Sequence, residues 1–185
     1  MDSILHRRQA AAFQFRLPSG SSLPILEPAA FDLRLTGLVQ ESHDYSLEQL
    51  KEIAWTNVHA DFHCVTRFSV MDNDWEGVPV LAIMETVEKL PDARAVLVHC
   101  EGGYTTNLLL DDFLRSENLL AFRRNGSSLS AEHGGPIRLI VPHLYAWKSA
   151  KWVNGIELIA SDTPGFWERN GYHMRGEPFS EERFG

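Results

Sequence analysis

Every apolar run in this chain is short, and the runs do not follow a regular strand–helix–strand period. Phe31–Val39 (Phe-Asp-Leu-Arg-Leu-Thr-Gly-Leu-Val) alternates apolar and polar residues, the period of a half-buried strand. Ala95-Val96-Leu97-Val98-His99-Cys100 is a denser apolar run that suits a buried strand, and Arg138–Pro142 and Trp152–Ala160 read as further strands. The helical patterns between them are equally brief. Ser46-Leu47-Glu48-Gln49 matches a capping box and opens a helix through Ile53. Val80, Ile83, Met84 and Val87 stand at helical spacing and predict an amphipathic helix over Val80–Leu90, stopped near Pro91. Leu110–Leu114 predicts another short helix, and Asn125-Gly126 a hairpin turn. Strands interleaved irregularly with short helices predict an α+β mixed-sheet fold, not a doubly wound one.

At 185 residues the chain is long enough for one sizeable core. Residues 1–30 carry Leu17-Pro18-Ser19-Gly20-Ser21-Ser22-Leu23-Pro24 and read as an irregular arm, with one domain over residues 31–185 and an irregular tail from Pro164. A net charge of −8 argues against a nucleic-acid-coating protein or a polybasic membrane binder. No apolar run approaches the ~20 residues that span a bilayer. The pair Arg7-Arg8 is not followed by a hydrophobic segment of signal-peptide length, so a cytoplasmic protein is the expectation. Cys64 and Cys100 are too few for a disulfide framework; a single bridge is one reading, and a free thiol pair in a reducing compartment the simpler one.

Three stretches carry candidate chemistry. In His59-Ala60-Asp61-Phe62-His63-Cys64, two histidines and a thiol offer a zinc set, although Ala60 stands where a metalloprotease needs glutamate. Cys64 alone, beside His63, Thr66 and Arg67, is a candidate nucleophile or metal ligand, or else a buried structural thiol. Glu101-Gly102-Gly103-Tyr104-Thr105-Thr106 leaves a strand through paired glycines, which either approach a phosphate or pterin or form an ordinary turn. The stretch His133–Trp152 holds three cations (Arg138, Lys148, Lys151) and two histidines (His133, His143) among aromatics in an otherwise acidic chain. That local reversal of charge points to an anionic ligand held by Arg and Lys with backbone amides.

Together these segments resemble the molybdopterin-binding domain of the sulfite-oxidase family, above all its short single-domain bacterial oxidoreductases. The likeness runs from about Phe31 to Gly185, through Asp61–Thr66, Trp75-Glu76-Gly77-Val78, Gly103–Asn107, His133–Trp152 and Pro164–His173. It implies a sulfite-oxidase-type fold and a mononuclear molybdenum oxidoreductase that transfers an oxygen atom to or from a small sulfite- or sulfoxide-like substrate, with an electron donor or acceptor protein as partner. By the same likeness Cys64 is the thiolate ligand of molybdenum, a soft donor beside the dithiolene sulfurs of molybdopterin. Tyr104 is the tyrosine near the oxo group, and Arg67 or Lys148 attracts the substrate oxyanion. His63, His133, Arg138 and Lys151, with the backbone at Ser149 and Ala150, hold the pterin and its phosphate. Cys100 falls where relatives place a small hydroxyl residue, and Arg67 where they place glycine. The likeness includes no haem domain, no immunoglobulin-like domain and no export leader. Two other readings stay open: a pterin- or anion-binding protein without turnover, and a zinc protein using His59, His63 and Cys64.

Overall fold

The alternation that starts at Phe31 becomes strand β1 (Asp32–Gly37), with Leu33 and Leu35 buried and Asp32 and Arg34 facing out. A computed structural model describes residues 31–185; the arm expected over residues 1–30 lies outside the described residues. Strand β2 (His43–Ser46) runs into helix α1 (Leu47–Ile53), where the capping box forms as the sequence predicts: the Gln49 amide donates to Ser46 Oγ, and the Ser46 amide to Gln49 Oε1.

Strands β3 (Thr56–His63) and β4 (Ser69–Pro79) follow, then helix α2 (Val80–Met84). The sequence predicts this helix as far as Leu90, but it ends six residues earlier. The reason is competition for the backbone: Glu88 O accepts from the Gln40 amide and the Leu90 amide donates to Leu38 O, so residues 88–90 pair with the exit of β1 instead of continuing the turn. The chain continues through β5 (Ala95–Cys100), β6 (Thr105–Leu109), helix α3 (Leu110–Phe113), β7 (Leu119–Arg124), β8 (Ser127–Ser128), β9 (Arg138–Ile140) and β10 (Val153–Ile159). Asn125 and Gly126 both have positive φ and make the β7–β8 turn.

One sheet has the order β2-β1-β10-β5-β6, with β1 and β10 parallel and the other pairs antiparallel. The second is antiparallel, β3-β4-β7-β8, with β9 also on β7. Residues of both sheets (Leu35, Val98 and Ile156; Val78, Leu120 and Leu139) share one hydrophobic core. On the other face of the second sheet, Trp75, Leu119, Ala121 and Ile140 form a small separate cluster with Phe62 packed against it. No helix among the described residues is long and apolar enough to cross a membrane.

Candidate functional site

Cys64 is the first residue after β3, in a tight turn: its amide donates to Phe68 O (2.9 Å) and its carbonyl accepts from the Arg67 amide (3.0 Å). Closing that turn puts Arg67 at φ 70, a left-handed conformation that suits glycine and strains a side chain, which is the physical reason a glycine is expected there. Arg67 is itself exposed. The Cys64 thiol is only partly buried and lies 3.1 Å from Thr66 Oγ1. His63 pins the turn from below: it is buried, with Nδ1 2.8 Å from Ser69 Oγ, and burial pushes its imidazole down toward the neutral form. Its carbonyl accepts from the Ala146 amide (2.7 Å), which ties the turn to the stretch 144–148.

The irregular tail closes over this turn. Arg183 donates to Val65 O and lies 4.8 Å over the Tyr145 ring, while Phe179 meets His63 edge-on at 5.5 Å. Tyr172 stacks on Trp167 at 4.8 Å and meets Trp147 edge-on at 5.0 Å. Burial raises the Tyr172 phenol, and the charge of the Cys64 sulfur raises it further. The sequence points to Tyr104 as the tyrosine near the oxo group and, within the aromatic stretch Pro164–His173, does not single out Tyr172. Tyr104 is buried and its hydroxyl donates to Trp147 O (2.7 Å); burial, then Glu168, holds its phenol well above the usual range.

A second group of residues gathers around β9. Arg138 is buried, with Nη1 donating to His133 O (3.0 Å) and Nη2 to Ser149 O (2.8 Å). Its Nε has no partner among the described residues, and a buried donor left unsatisfied costs about 1–3 kcal/mol. Burial and neighbouring Arg124 push the guanidinium down. Lys151 donates to Glu132 O (2.6 Å), and burial, then Arg138, brings its ammonium down to about 8. His133 shares a hydrogen bond with Ser130 (2.9 Å) and is lowered by burial and then by Lys151, Arg124 and Arg138. Gly134, at φ 98, lets the chain pass over Lys151; a Cβ there would sit 2.9 Å from the Lys151 side chain. Ser149 and Ala150 are buried beside this group, Ser149 Oγ accepting from the Val141 amide (2.9 Å). Cys100 is buried nearby, its thiol raised by burial and lowered somewhat by Arg138. The structure therefore brings His133, Arg138, Ser149, Ala150, Lys151 and Cys100 together, and adds Arg124, which sequence reasoning did not single out.

Two expectations need correction. Lys148 does not face a substrate: its side chain is 0% exposed, ion-paired to Glu168 Oε1 at 2.6 Å, and donates to Asn107 O (2.8 Å), Asn107 Oδ1 (2.9 Å) and Met174 O (2.6 Å). The zinc set is not assembled either. A bulge in β3 between Ala60 and Phe62 separates its two histidines; His59 is exposed on Asp74 (2.8 Å), whereas His63 is buried on Ser69. Among the described residues no group of three or more His, Cys, Asp or Glu is placed to hold a metal.

What remains is a partly exposed soft thiol on a tight turn, and a cluster of cations of which none ion-pairs with a carboxylate among the described residues; only Glu132 offsets Lys151 and His133, and weakly. The unpartnered Arg138 Nε marks the cluster as built for an acceptor that the fold does not supply. A pterin phosphate fits that demand, and Cys64 fits a soft metal.

Comparison with known proteins points the same way. The family described as oxidoreductase molybdopterin binding domain matches residues 20–167. The chain is 47% identical to the uncharacterized oxidoreductase YuiH of Bacillus subtilis, over 83% of this chain and 78% of that protein. It is 27% identical to a sulfite oxidase of Arabidopsis thaliana, covering 82% of this chain and 48% of that protein. It is also 27% identical to the catalytic subunit MsrP of a protein-methionine-sulfoxide reductase of Gluconobacter oxydans, covering 77% of this chain and 51% of that protein. The chain thus spans about half the length of the latter two relatives. In fold it is similar to the sulfane dehydrogenase SoxCD of Paracoccus pantotrophus, with a TM-score of 0.72 at 19% identity, over 82% of this chain and 43% of that one.

Proposed function

Because the chain belongs to the oxidoreductase molybdopterin binding domain family, we propose that it is a mononuclear molybdenum oxidoreductase acting by two-electron oxygen-atom transfer on a small sulfite- or sulfoxide-like substrate. The observation that carries this reading is the unpartnered Nε of buried Arg138, in a cation cluster that ion-pairs with no carboxylate among the described residues, on a chain whose Cys64 thiol is partly exposed. When bound, the molybdenum cofactor supplies the redox chemistry. The chain's own residues do the rest. Cys64 gives a sulfur donor on a turn fixed by two backbone hydrogen bonds. His133, Arg138 and Lys151, with the backbone at Ser149 and Ala150, take the pterin and its phosphate. Each charge-assisted contact there is worth roughly 1.5–3 kcal/mol.

Tyr172 is the hydroxyl we assign to substrate, and Tyr104 stands behind it as the support of Trp147, whose ring Tyr172 meets. Arg67, exposed on the Cys64 turn, is the cation best placed to draw in an oxyanion. Electrons pass to or from a separate donor or acceptor protein.

Metal analysis with pterin extraction tests the reading: stoichiometric molybdenum with pterin supports it, and zinc without pterin removes it. Cys64→Ser should abolish turnover, since a hydroxyl stays protonated near neutral pH and is a harder, weaker ligand. Activity in that variant equal to the parent's, with molybdenum retained, would sink the assignment of Cys64.

A further inference from the structure

Strand β4 reads Asp72-Asn73-Asp74 along its middle. Both aspartates are exposed and lie against His59, whereas Asn73 is completely buried. The inward position between two acids is therefore held by a neutral amide. The orientation of that amide is fixed, because Nδ2 donates to Ala60 O (3.1 Å) and Val70 O (2.7 Å). Its oxygen is left to accept from Arg124, whose Nε lies at 2.9 Å and whose Nη2 also donates to it. Arg124 is held in place by a partner that does not cancel its charge.

The two guanidiniums of the region share one ring. Arg124 Cζ lies 5.2 Å from the Trp75 ring and Arg138 Cζ 5.5 Å from it, with Phe62 5.1 Å from Arg138 on the same face of the sheet. Aromatic faces stabilise cations without neutralising them. Like charges are thus concentrated in a desolvated place where a carboxylate would have been the ordinary solution. Two buried donors in this group, Arg138 Nε and Trp75 Nε1, have no partner among the described residues. The unpaired donors and the unpaired charges ask for the same thing, an anion with several acceptor oxygens.

Building on the molybdopterin reading above, we propose that Arg124, oriented by Asn73 on the face of Trp75, is a further cation of the site that holds the cofactor's phosphate, and that the neutral amide at position 73 is what leaves its charge available to the ligand. The chemical class recognised is a phosphate monoester dianion. Arg124 also clamps β4 to β7, and the test separates that clamp from the electrostatic role.

The experiment titrates the full chain, produced without cofactor, with inorganic phosphate and follows thermal stability; molybdenum and pterin content of cofactor-loaded protein is measured in parallel. Arg124→Gln keeps a donor for Asn73 but removes the charge, and should weaken phosphate about tenfold, one charge-assisted contact. Arg124→Lys keeps the charge but loses the fork that Asn73 and Trp75 orient, so it should lose clearly less phosphate affinity than Arg124→Gln without matching the parent. Asn73→Asp should behave like Arg124→Gln, because the new carboxylate takes up the Arg124 charge. Equal losses in Arg124→Gln and Arg124→Lys, or unchanged phosphate affinity in Arg124→Gln, overturn the proposal, as does a parent that phosphate does not stabilise. If Asn73→Asp fails to fold, the contrast between the two Arg124 variants decides by itself. Where the phosphate pattern holds but no pterin is ever found, the cofactor reading fails and the anion site stands. Where all variants load molybdenum and bind phosphate alike, the cofactor reading stands and Arg124 is only a clamp.

Discussion

Two buried cations in this molecule, Lys148 and Arg138, lie ten residues apart and meet opposite solutions. Lys148 has a carboxylate at 2.6 Å and three further acceptors, so its charge is answered inside the fold. Arg138 has two carbonyls, two aromatic faces, a cationic neighbour and an Nε without a partner among the described residues. Burying an ion without a counter-ion is costly, and a chain that accepts this cost at one place while avoiding it at another has a use for the unanswered charge. The first is a structural pair. The second has the chemistry of a binding site.

The comparison breaks most visibly at Lys148. Lys148→Met leaves Glu168 with its Oε1 held only by the Trp147 indole and its Oε2 already unpartnered, in a fully buried position. Removing one member of such a pair costs about 3–5 kcal/mol. For a chain of this length that corresponds to a fall in melting temperature of roughly 6–20 °C. Lys148→Met with Glu168→Gln should recover most of the loss, measured by calorimetry. A melting temperature unchanged in the single variant would mean that Lys148 is not the structural ion described here.

Arg138→Met should do the reverse. In cofactor-free protein it removes an uncompensated charge and an unsatisfied donor but also strips His133 O and Ser149 O of theirs, so these effects offset and stability should change far less than at Lys148. Cofactor affinity should drop about ten- to a hundredfold, one charge-assisted contact to phosphate. Pterin content after gel filtration checks this. Full retention of pterin together with a large loss of stability would turn Arg138 into a second structural cation and erase the contrast.

How much of this was readable in the sequence depends on which force decides each element. The capping box from Ser46 to Gln49 is a local hydrogen-bond pattern, and it appears where the residues put it. The Val80 helix fails beyond Met84 because its last residues find β-type partners after β1, which no window of neighbouring residues reveals. Strand β4 escaped notice for a related reason, since Asp72, Asn73, Asp74, Gly77 and Pro79 lack strand propensity and are held by pairing on both sides. In the site, the segment His133–Lys151 announced itself by charge. That Lys148 turns inward while Arg138 and Lys151 group together depends on Glu168, twenty residues further on, and Arg124 joins only through Asn73 from another strand. The position of Tyr172 is illegible in the same way, since it lies in a tail without regular structure whose Arg183 reaches the Cys64 turn.

The smallest expected effect is also the most direct reading of unanswered charge, and it concerns Lys151. Its ammonium is lowered from an ordinary 10.5 to about 8, first by burial and then by Arg138. Below pH 8 both the folded and the unfolded chain carry the proton, and the penalty of holding that charge in the fold is present in full. Between about 8 and 10.5 the folded chain binds fewer protons than the unfolded one, so the stability of cofactor-free protein should climb as pH rises through this window. Other groups titrate there too, so the quantity to measure is the difference between the parent and Lys151→Gln, which isolates the lysine. We expect the parent to gain on the variant by roughly 1–2 kcal/mol between pH 7.5 and 9.5 in chemical denaturation. Saturating phosphate should flatten the difference, because an anion at the cluster restores the charged form. If the two proteins instead stay parallel across the window without phosphate, Lys151 is an ordinary lysine and its charge needs no partner. If the parent loses stability relative to the variant as pH rises, the ammonium is already paired in the fold, and the cluster resembles Lys148 after all.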